Sequence, residues 1–338
     1  MTTISDVARM AGVSISTVSY SVTGTRPISA ATRERIEKAM RDLGYRPNAL
    51  ARGLKSKRSR IIALSFPNQT ADIDLTCLEY ILAASNHAQK LNYHLLLWTT
   101  EVNTPADLRE LVLQGLVEGV LMLQVKLQDQ RIKVLTDAGL PFAMIGRSAE
   151  VDGLDFVGTD FDQCAQVAVK HLFDLGHRNI GFVNHPLDTV DKGLGGPVRV
   201  QAALTRATKK TGMSVITLFC QNSQEAGKEA FQDFRRRDPN ITAVICLNEQ
   251  TAPGIMEGAM DHGWRIPADF SVVSIVMAPQ VAQMSTPPMT TVSASATEIC
   301  RVGVEMLIHR LDGATDAPIQ RLIPGELLVR GTSAAVRS

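Results

Sequence analysis

Several things are scarce in this sequence, and each shortage excludes a class of protein. Five cysteines, Cys77, Cys164, Cys220, Cys246 and Cys300, stand singly among 338 residues with no CxxC pair. A disulfide framework or a structural zinc site needs closely spaced pairs, so buried free thiols are expected. No apolar run approaches the roughly 18 residues of a membrane span. The first residues lack the apolar core of a signal peptide, and a cytoplasmic protein is expected. Catalytic signatures are missing as well: there is no HExxH, no GxSxG and no paired-carboxylate pattern. Gly193-Leu194-Gly195-Gly196-Pro197 resembles a phosphate cradle. No GK[ST] follows it, however, and Val198 stands where GxGxxG needs its last glycine, so a flexible loop is expected. His171 and His177 share no helix face and have no third ligand near them. No cofactor, no metal and no enzymatic activity are expected.

What is present suffices for two to three domain-sized units, with 45% hydrophobic and 20% charged residues. The net charge of +1 conceals a division. Residues 1–60 hold twelve Lys and Arg against four acids (Asp6, Glu34, Glu37, Asp42), a surplus of eight. The remaining chain carries a net charge of −7. A basic segment on an acidic body is the footprint of phosphate-backbone binding. A merely solvated basic face would look the same; what the segment encodes decides between them.

Residues 4–10 can form one short helix and residues 14–22 a second, joined by the Gly-containing turn Ala11-Gly12-Val13. Thr3 with Asp6 is a capping-box variant for the first helix, and Ser14 an N-cap for the second. Val13 and Val18 form a hydrophobic staple, and Ala8 permits close helix approach. Ile15, Ser16, Thr17 and Tyr20 are left on the outer face, where short side chains can reach base edges in a major groove. Ser29 caps a third helix with the apolar stripe Ile36, Ala39, Met40 and Leu43, closed by Gly44 in a left-handed turn. The next stretch, RPNALARGLKSKRSR, can make one more short helix over 47–55.

TISDVARMAGVSISTVSYSVTG followed by RPNALARGLK resembles the DNA-binding head and hinge of the lactose-repressor (LacI/GalR-type) family of bacterial regulators. The resemblance implies a homodimer reading a near-palindromic stretch of double-stranded operator DNA. The DNA-contacting set is then Thr3, Ser14, Ile15, Ser16, Thr17, Tyr20, Arg26 and Tyr45 in the head, with Asn48, Leu54 and Lys55 in the hinge. Leu54 would enter the minor groove as an apolar wedge.

Beyond residue 60, apolar runs at 61–65, 93–98, 119–123, 142–145, 180–183, 214–219, 243–247 and 272–276 read as buried parallel strands. Helical segments such as 76–90 and 163–175 lie between them, which means βαβ units and doubly wound sheets. Ligands bind such sheets at the carboxyl ends of the strands. DFVGTD, HLFDLGHRNIGFV, TAVICLNEQTAPG, RIPADFSVVSI, TPPMTTV and LIPGELLVRGTS extend the family resemblance over essentially the whole chain.

The expected fold class is therefore a small all-α helix-turn-helix head plus an α/β core of two Rossmann-like lobes of the periplasmic-binding-protein type. The expected domains are a head over 1–46, a hinge over 47–60 and an effector-binding core over 61–338. Its lobes would be 61–160 with 291–321, and 162–288 with 322–338, crossed by three strands. Family positions carried over one at a time give an effector set of Asn68, Asp72, Ile73, Asp74, Arg147, Asp160, Phe161, Arg199, Asn248 and Glu249. Guanidinium geometry at Arg199 suits carboxylates or paired hydroxyls. Each of these is also compatible with an ordinary polar loop residue.

Two departures stand out. Val276 falls where the family often has a sugar-binding carboxylate, and Ser293-Ala294 falls where Gln or His often follows TTV. The function expected is a DNA-binding transcriptional regulator, a repressor, controlled by a sugar or sugar-related small molecule. A periplasmic-type solute-binding protein and a Rossmann-type enzyme are the alternatives. The basic head and absent signal-peptide core oppose the first, and the missing nucleotide fingerprint opposes the second.

Overall fold

The computed structural model describes residues 2–23, 26–45, 58–66, 75–99, 108, 110 and 114–337. The chain divides into two compact units, Met1–Arg60 and Ile61–Ser338.

In the first unit lie helices α1 (Ile4–Ala11), α2 (Ile15–Thr23) and α3 (Ala30–Asp42). All three are near or below the roughly 12–15 residues at which an isolated helix is even marginal in water. Their packing therefore holds them. Val7, Ala8, Ala11, Val18, Ile36 and Ala39 form one buried core, with Val13, Met40, Leu43 and Tyr45 packed against it. The caps form as the sequence requires. Thr3 accepts from the Asp6 amide, and the Asp6 carboxylate accepts from the Thr3 amide at 3.0 Å. Gly12 ends α1 with φ +64°, and Gly44 follows α3 with φ +60°, both in the region that glycine enters without cost. Ser14 accepts from the Thr17 amide at 3.1 Å and Ser29 from the Thr32 amide. The further helix expected over 47–55 lies outside the described residues.

Among the described residues, the second unit holds two six-stranded sheets. The first has the order β11-β5-β4-β3-β1-β2, all parallel, built from β1 (Ile61–Ser65), β2 (His94–Trp98), β3 (Gly119–Met122), β4 (Phe142–Ile145), β5 (Phe156–Thr159) and β11 (Gln320–Ile323). The second has the order β12-β10-β9-β8-β6-β7, from β6 (Asn179–Asn184), β7 (Ser214–Phe219), β8 (Ala243–Cys246), β9 (Ser271–Ile275), β10 (Thr290–Ser293) and β12 (Glu326–Leu328). In it only β12 runs antiparallel, against β10.

Helices cover the faces of each sheet, as continuous apolar strands demand. On the first sheet α4 (Leu75–Lys90) packs against α12 (Ala296–Leu311), with α5 (Gln130–Asp137) contributing Val134 and Leu135 to the opposite face. On the second, α6 (Phe161–Asp174) pairs with α8 (Gly195–Thr211), and α9 (Gln224–Arg237) with α10 (Thr251–Asp261). Gly227 and Gly254 let that last pair touch backbone to backbone, since a Cβ on Gly254 would overlap the Gln224 carbonyl. Short helices α7 (Leu187–Asp191) and α11 (Pro279–Met284) complete the unit. Among the described residues no helix is long and apolar enough to cross a membrane.

Three details depart from expectation. Strands β2 and β7 are only partly buried, because each is a sheet edge with one paired side. The chain passes between the sheets at Asp160, between Ser293 and Ala296, and between Ile323 and Glu326, so the second crossing falls about five residues and the third about three beyond those expected. Strand β10 keeps to the second sheet through its parallel pairing with β9, and β11 keeps to the first through β5. Finally, residues 195–197 are the first turn of α8 and not a loop, held by the Gly195 amide donating to Val125 O at 3.0 Å.

Candidate nucleic-acid interface and ligand cleft

On α2 of the head, Ile15 is 48% exposed and Ser16 is exposed beside it. Tyr20 is half-buried, and the Arg26 guanidinium lies 5.2 Å from its ring centroid, an arrangement that holds a cation over an aromatic face. Three expected contact residues use their polar groups within the head. The Thr3 hydroxyl donates to Asp6 at 2.8 Å, Ser14 caps α2, and Thr17 Oγ1 lies 2.8 Å from Ser14 Oγ. Tyr45 is half-buried against the head core. Ile15, Ser16 and the Tyr20–Arg26 pair are thus the groups left facing outward. Asn48, Leu54 and Lys55 lie outside the described residues.

In the second unit a cavity of about 220 Å³ opens between the carboxyl ends of the two sheets. The first sheet supplies Phe66 after β1, Gln124 and Val125 after β3, Arg147 after β4 and Thr159 at the end of β5. The second supplies His185 after β6, the start of α8 with Arg199, Glu249 after β8 and Val276 after β9. Phe161 closes the crossover side; a Cβ on Gly196 would sit 3.4 Å from its ring.

Arg199 is held in place by its own bond, Nη2 donating to Ser148 O at 2.8 Å. Burial, with the Arg147 charge beside it, pushes its pKa down to about 10. Burial alone pushes His185 down to about 4, so its ring is neutral near pH 7. Val276 has φ +58°, a conformation that a β-branched side chain enters only under strain, and such outliers cluster at ligand sites. Glu249 reaches the other sheet's layer. It accepts from the Thr76 amide at 2.8 Å, the Leu75 amide at 3.2 Å and the Thr76 hydroxyl, at the start of α4. The Thr76 hydroxyl in turn accepts from the Ala278 amide at 2.9 Å.

Of the expected effector residues, Arg147, Phe161, Arg199 and Glu249 meet in this cavity. Asp160 does not line it; its carboxylate caps α6 by accepting from the Gln163 amide at 3.0 Å. Asn248 does not line it either. Its amide ties strand ends together, donating to Asn184 O and Cys220 O at 3.1 Å each, while its buried Oδ1 has no partner. Asn68, Asp72, Ile73 and Asp74 lie outside the described residues. Sequence reasoning missed Thr76, His185 and Gln124. Gln124 and His185 each carried a local signal, a polar residue just past an apolar run, and Thr76 carried none.

Comparison with known proteins agrees with this layout. Residues 3–48 match the model of bacterial regulatory proteins of the lacI family, and residues 169–333 match a periplasmic binding protein-like domain. The Lac repressor dimer bound to operator and the anti-inducer ONPF shares 25% identity, covers 99% of both chains and superimposes with a TM-score of 0.84. Head and core together thus have the two-part layout of LacI-family bacterial regulators. The chain is 27% identical over 326 residues to catabolite control protein A of Priestia megaterium, covering 95% of this chain and 96% of that protein. The regulator CelR, solved with cellobiose, is 26% identical with a TM-score of 0.72, over 98% of this chain and all of that one. With these likenesses in both parts, it is an effector-controlled, DNA-binding transcriptional regulator.

Proposed function

We propose that a cytoplasmic homodimer of this chain represses transcription from a near-palindromic operator, and that a sugar or sugar-related metabolite in the cleft controls it. The observation that carries this reading is the outward set Ile15, Ser16 and Tyr20 on a capped helix, joined in one chain to a cavity at the carboxyl ends of two sheets. Ile15 reads a thymine methyl and Ser16 hydrogen-bonds to a base edge. The head, hinge and core of the reading are 1–46, 47–60 and 61–338, with Asn48, Leu54 and Lys55 as hinge contacts and Arg147, Phe161, Arg199 and Glu249 as cleft contacts.

A dimer is supported by an apolar stripe on α4. Leu75, Leu78 and Leu82 are 49%, 39% and 53% exposed, at the helical spacing that puts them on one face. Leu97 on the neighbouring edge strand β2 is exposed as well. The names of two relatives fit the same reading: one was solved as a dimer on operator, the other with a disaccharide.

Selection from a random duplex library tests it. The expected outcome is an inverted repeat whose half-sites change when Ile15 and Ser16 are both replaced. Affinity should fall with salt at a slope of about −0.9 per phosphate contacted. A selection that enriches no sequence would overturn the reading.

A further inference from the structure

The two arginines of the cleft define what the cleft holds. Arg147 and Arg199 line one cavity, and among the described residues no carboxylate pairs with either of them. Glu249 is the cavity's one described acid, and its oxygens are already occupied by the Leu75 and Thr76 donors. Two half-buried guanidinium groups side by side repel each other, and burial raises the cost. The first turn of α8 adds to the same field: Gly195, Gly196 and Pro197 line the cavity, so the positive end of a 17-residue helix points there.

A Cβ at residue 195 would come within 2.6 Å of Arg199 Nη1 and 2.7 Å of Val125 O, so the glycine lets the start of α8 lie close against both. The rest of the lining includes apolar Phe66, Leu247 and Val276. No acid stands at 276 to accept hydroxyls from a neutral sugar.

We infer that the effector of this regulator is an anion, a metabolite whose carboxylate or phosphate group is clamped between Arg147 and Arg199 at the start of α8. The inference rests on the effector-controlled reading above and sharpens its ligand class. An anionic group removes the repulsion between the two cations, which a neutral sugar cannot do. Planar guanidinium groups also match carboxylate and phosphate oxygens two at a time. The burial that lowers the Arg199 pKa strengthens the same attraction, because water no longer screens it.

The experiment uses the full chain without DNA. Melting is followed with sulfate, phosphate, gluconate and glucose 6-phosphate, against chloride at equal ionic strength and against neutral glucose and galactose. At least one of the four anions is expected to bind saturably to the wild type. Arg147→Gln and Arg199→Gln should each weaken that binding roughly ten- to a hundredfold, and Arg147→Lys should restore part of it. In chloride alone, Arg147→Gln should melt no lower than the wild type, since it removes a repulsion.

Three results would overturn the inference: a neutral sugar that binds wild type and both glutamine variants alike, anions that act equally on all forms or on none, and an Arg147→Gln protein that melts several degrees lower. Half-site selection by the wild type is a separate measurement, so its failure would speak against the regulator reading and not against the anion site.

Discussion

Seven consecutive residues, 14 to 20, supply the outward face of the head's second helix, whereas the cleft of the core gathers side chains from Phe66 to Leu322. The first is a local object. Its caps, turn and staple lie within a few residues of the groups they position. The second exists only once two sheets have formed and faced each other. Charge divides in the same way, with a surplus of eight positive charges before residue 61 and seven negative after it. A local, basic reader can be assembled from short signals, but a cavity that holds two cations together needs long-range pairing to enforce it.

Acid should separate the two units most strongly. All seven histidines lie in the core. His177 is 2% exposed, bonded to the Thr242 hydroxyl and Ala334 O, and burial pushes its pKa down to about 4. The unfolded chain, with an ordinary histidine near pH 6.5, binds the proton first. Core stability is thus fully present above about pH 6.5 and lost as pH falls towards 4, by about 3 kcal/mol for His177. His185 adds to the loss in the same direction. The head has no histidine, and Thr3 holds its Asp6 below the ordinary carboxylate range, so its acid loss begins only around pH 4 and below. Hydrogen exchange read fragment by fragment at pH 7 and pH 5 should show core amides losing protection while head amides keep theirs. Equal loss in both units would erase the distinction.

Ile36→Ala should act on the other side. Ile36 is fully buried in the head core, and such truncations cost roughly 2–5 kcal/mol. That is a large share of what three short helices can hold. Specific DNA binding should disappear while core melting stays at its wild-type temperature. A core that melts with the head would contradict their independence.

Glu249→Gln tests the contact across the cleft. It weakens a carboxylate that accepts three donors, at a cost of roughly 1.5–3 kcal/mol. Core melting should fall and the core should scatter X-rays as a more open particle, with head amides as protected as before. An unchanged radius of gyration would show that this contact does not hold the lobes.

Ser14→Ala is the smallest of the set. Losing the α2 cap should cost roughly 0.5–2 kcal/mol, read as faster exchange of the Thr17 amide that Ser14 accepts from. Core stability should not move at all.

Much of the fold was legible beforehand for the same reason. Helix caps at Thr3, Ser14 and Ser29, glycines at 12 and 44, and eight apolar runs each declare themselves within a few residues, because capping, left-handed turns and strand burial are short-range events. The edge character of β2 and β7 was not legible, since pairing on one side or two depends on strand order. Asp160 and Asn248 read as ligand groups because the family resemblance puts contacts at their positions, and a position does not tell whether a polar group faces a cavity or caps a helix. Thr76 gave no signal, because its importance comes from Glu249, 173 positions away.

The sequence by itself determined the three helices of the head with their caps and turns, and the alternation of strands and helices that makes two largely parallel sheets. It also put arginines at 147 and 199 and no acid at 276. Only the tertiary structure decided that those two cations share one cavity, that Glu249 is spent across the cleft on the start of α4, and that residues 195–197 are a helix end and not a loop. The physical reason is separation along the chain. Backbone conformation answers to neighbours a few residues away, but electrostatic and hydrogen-bond partners are chosen by distance in space, which folding alone fixes.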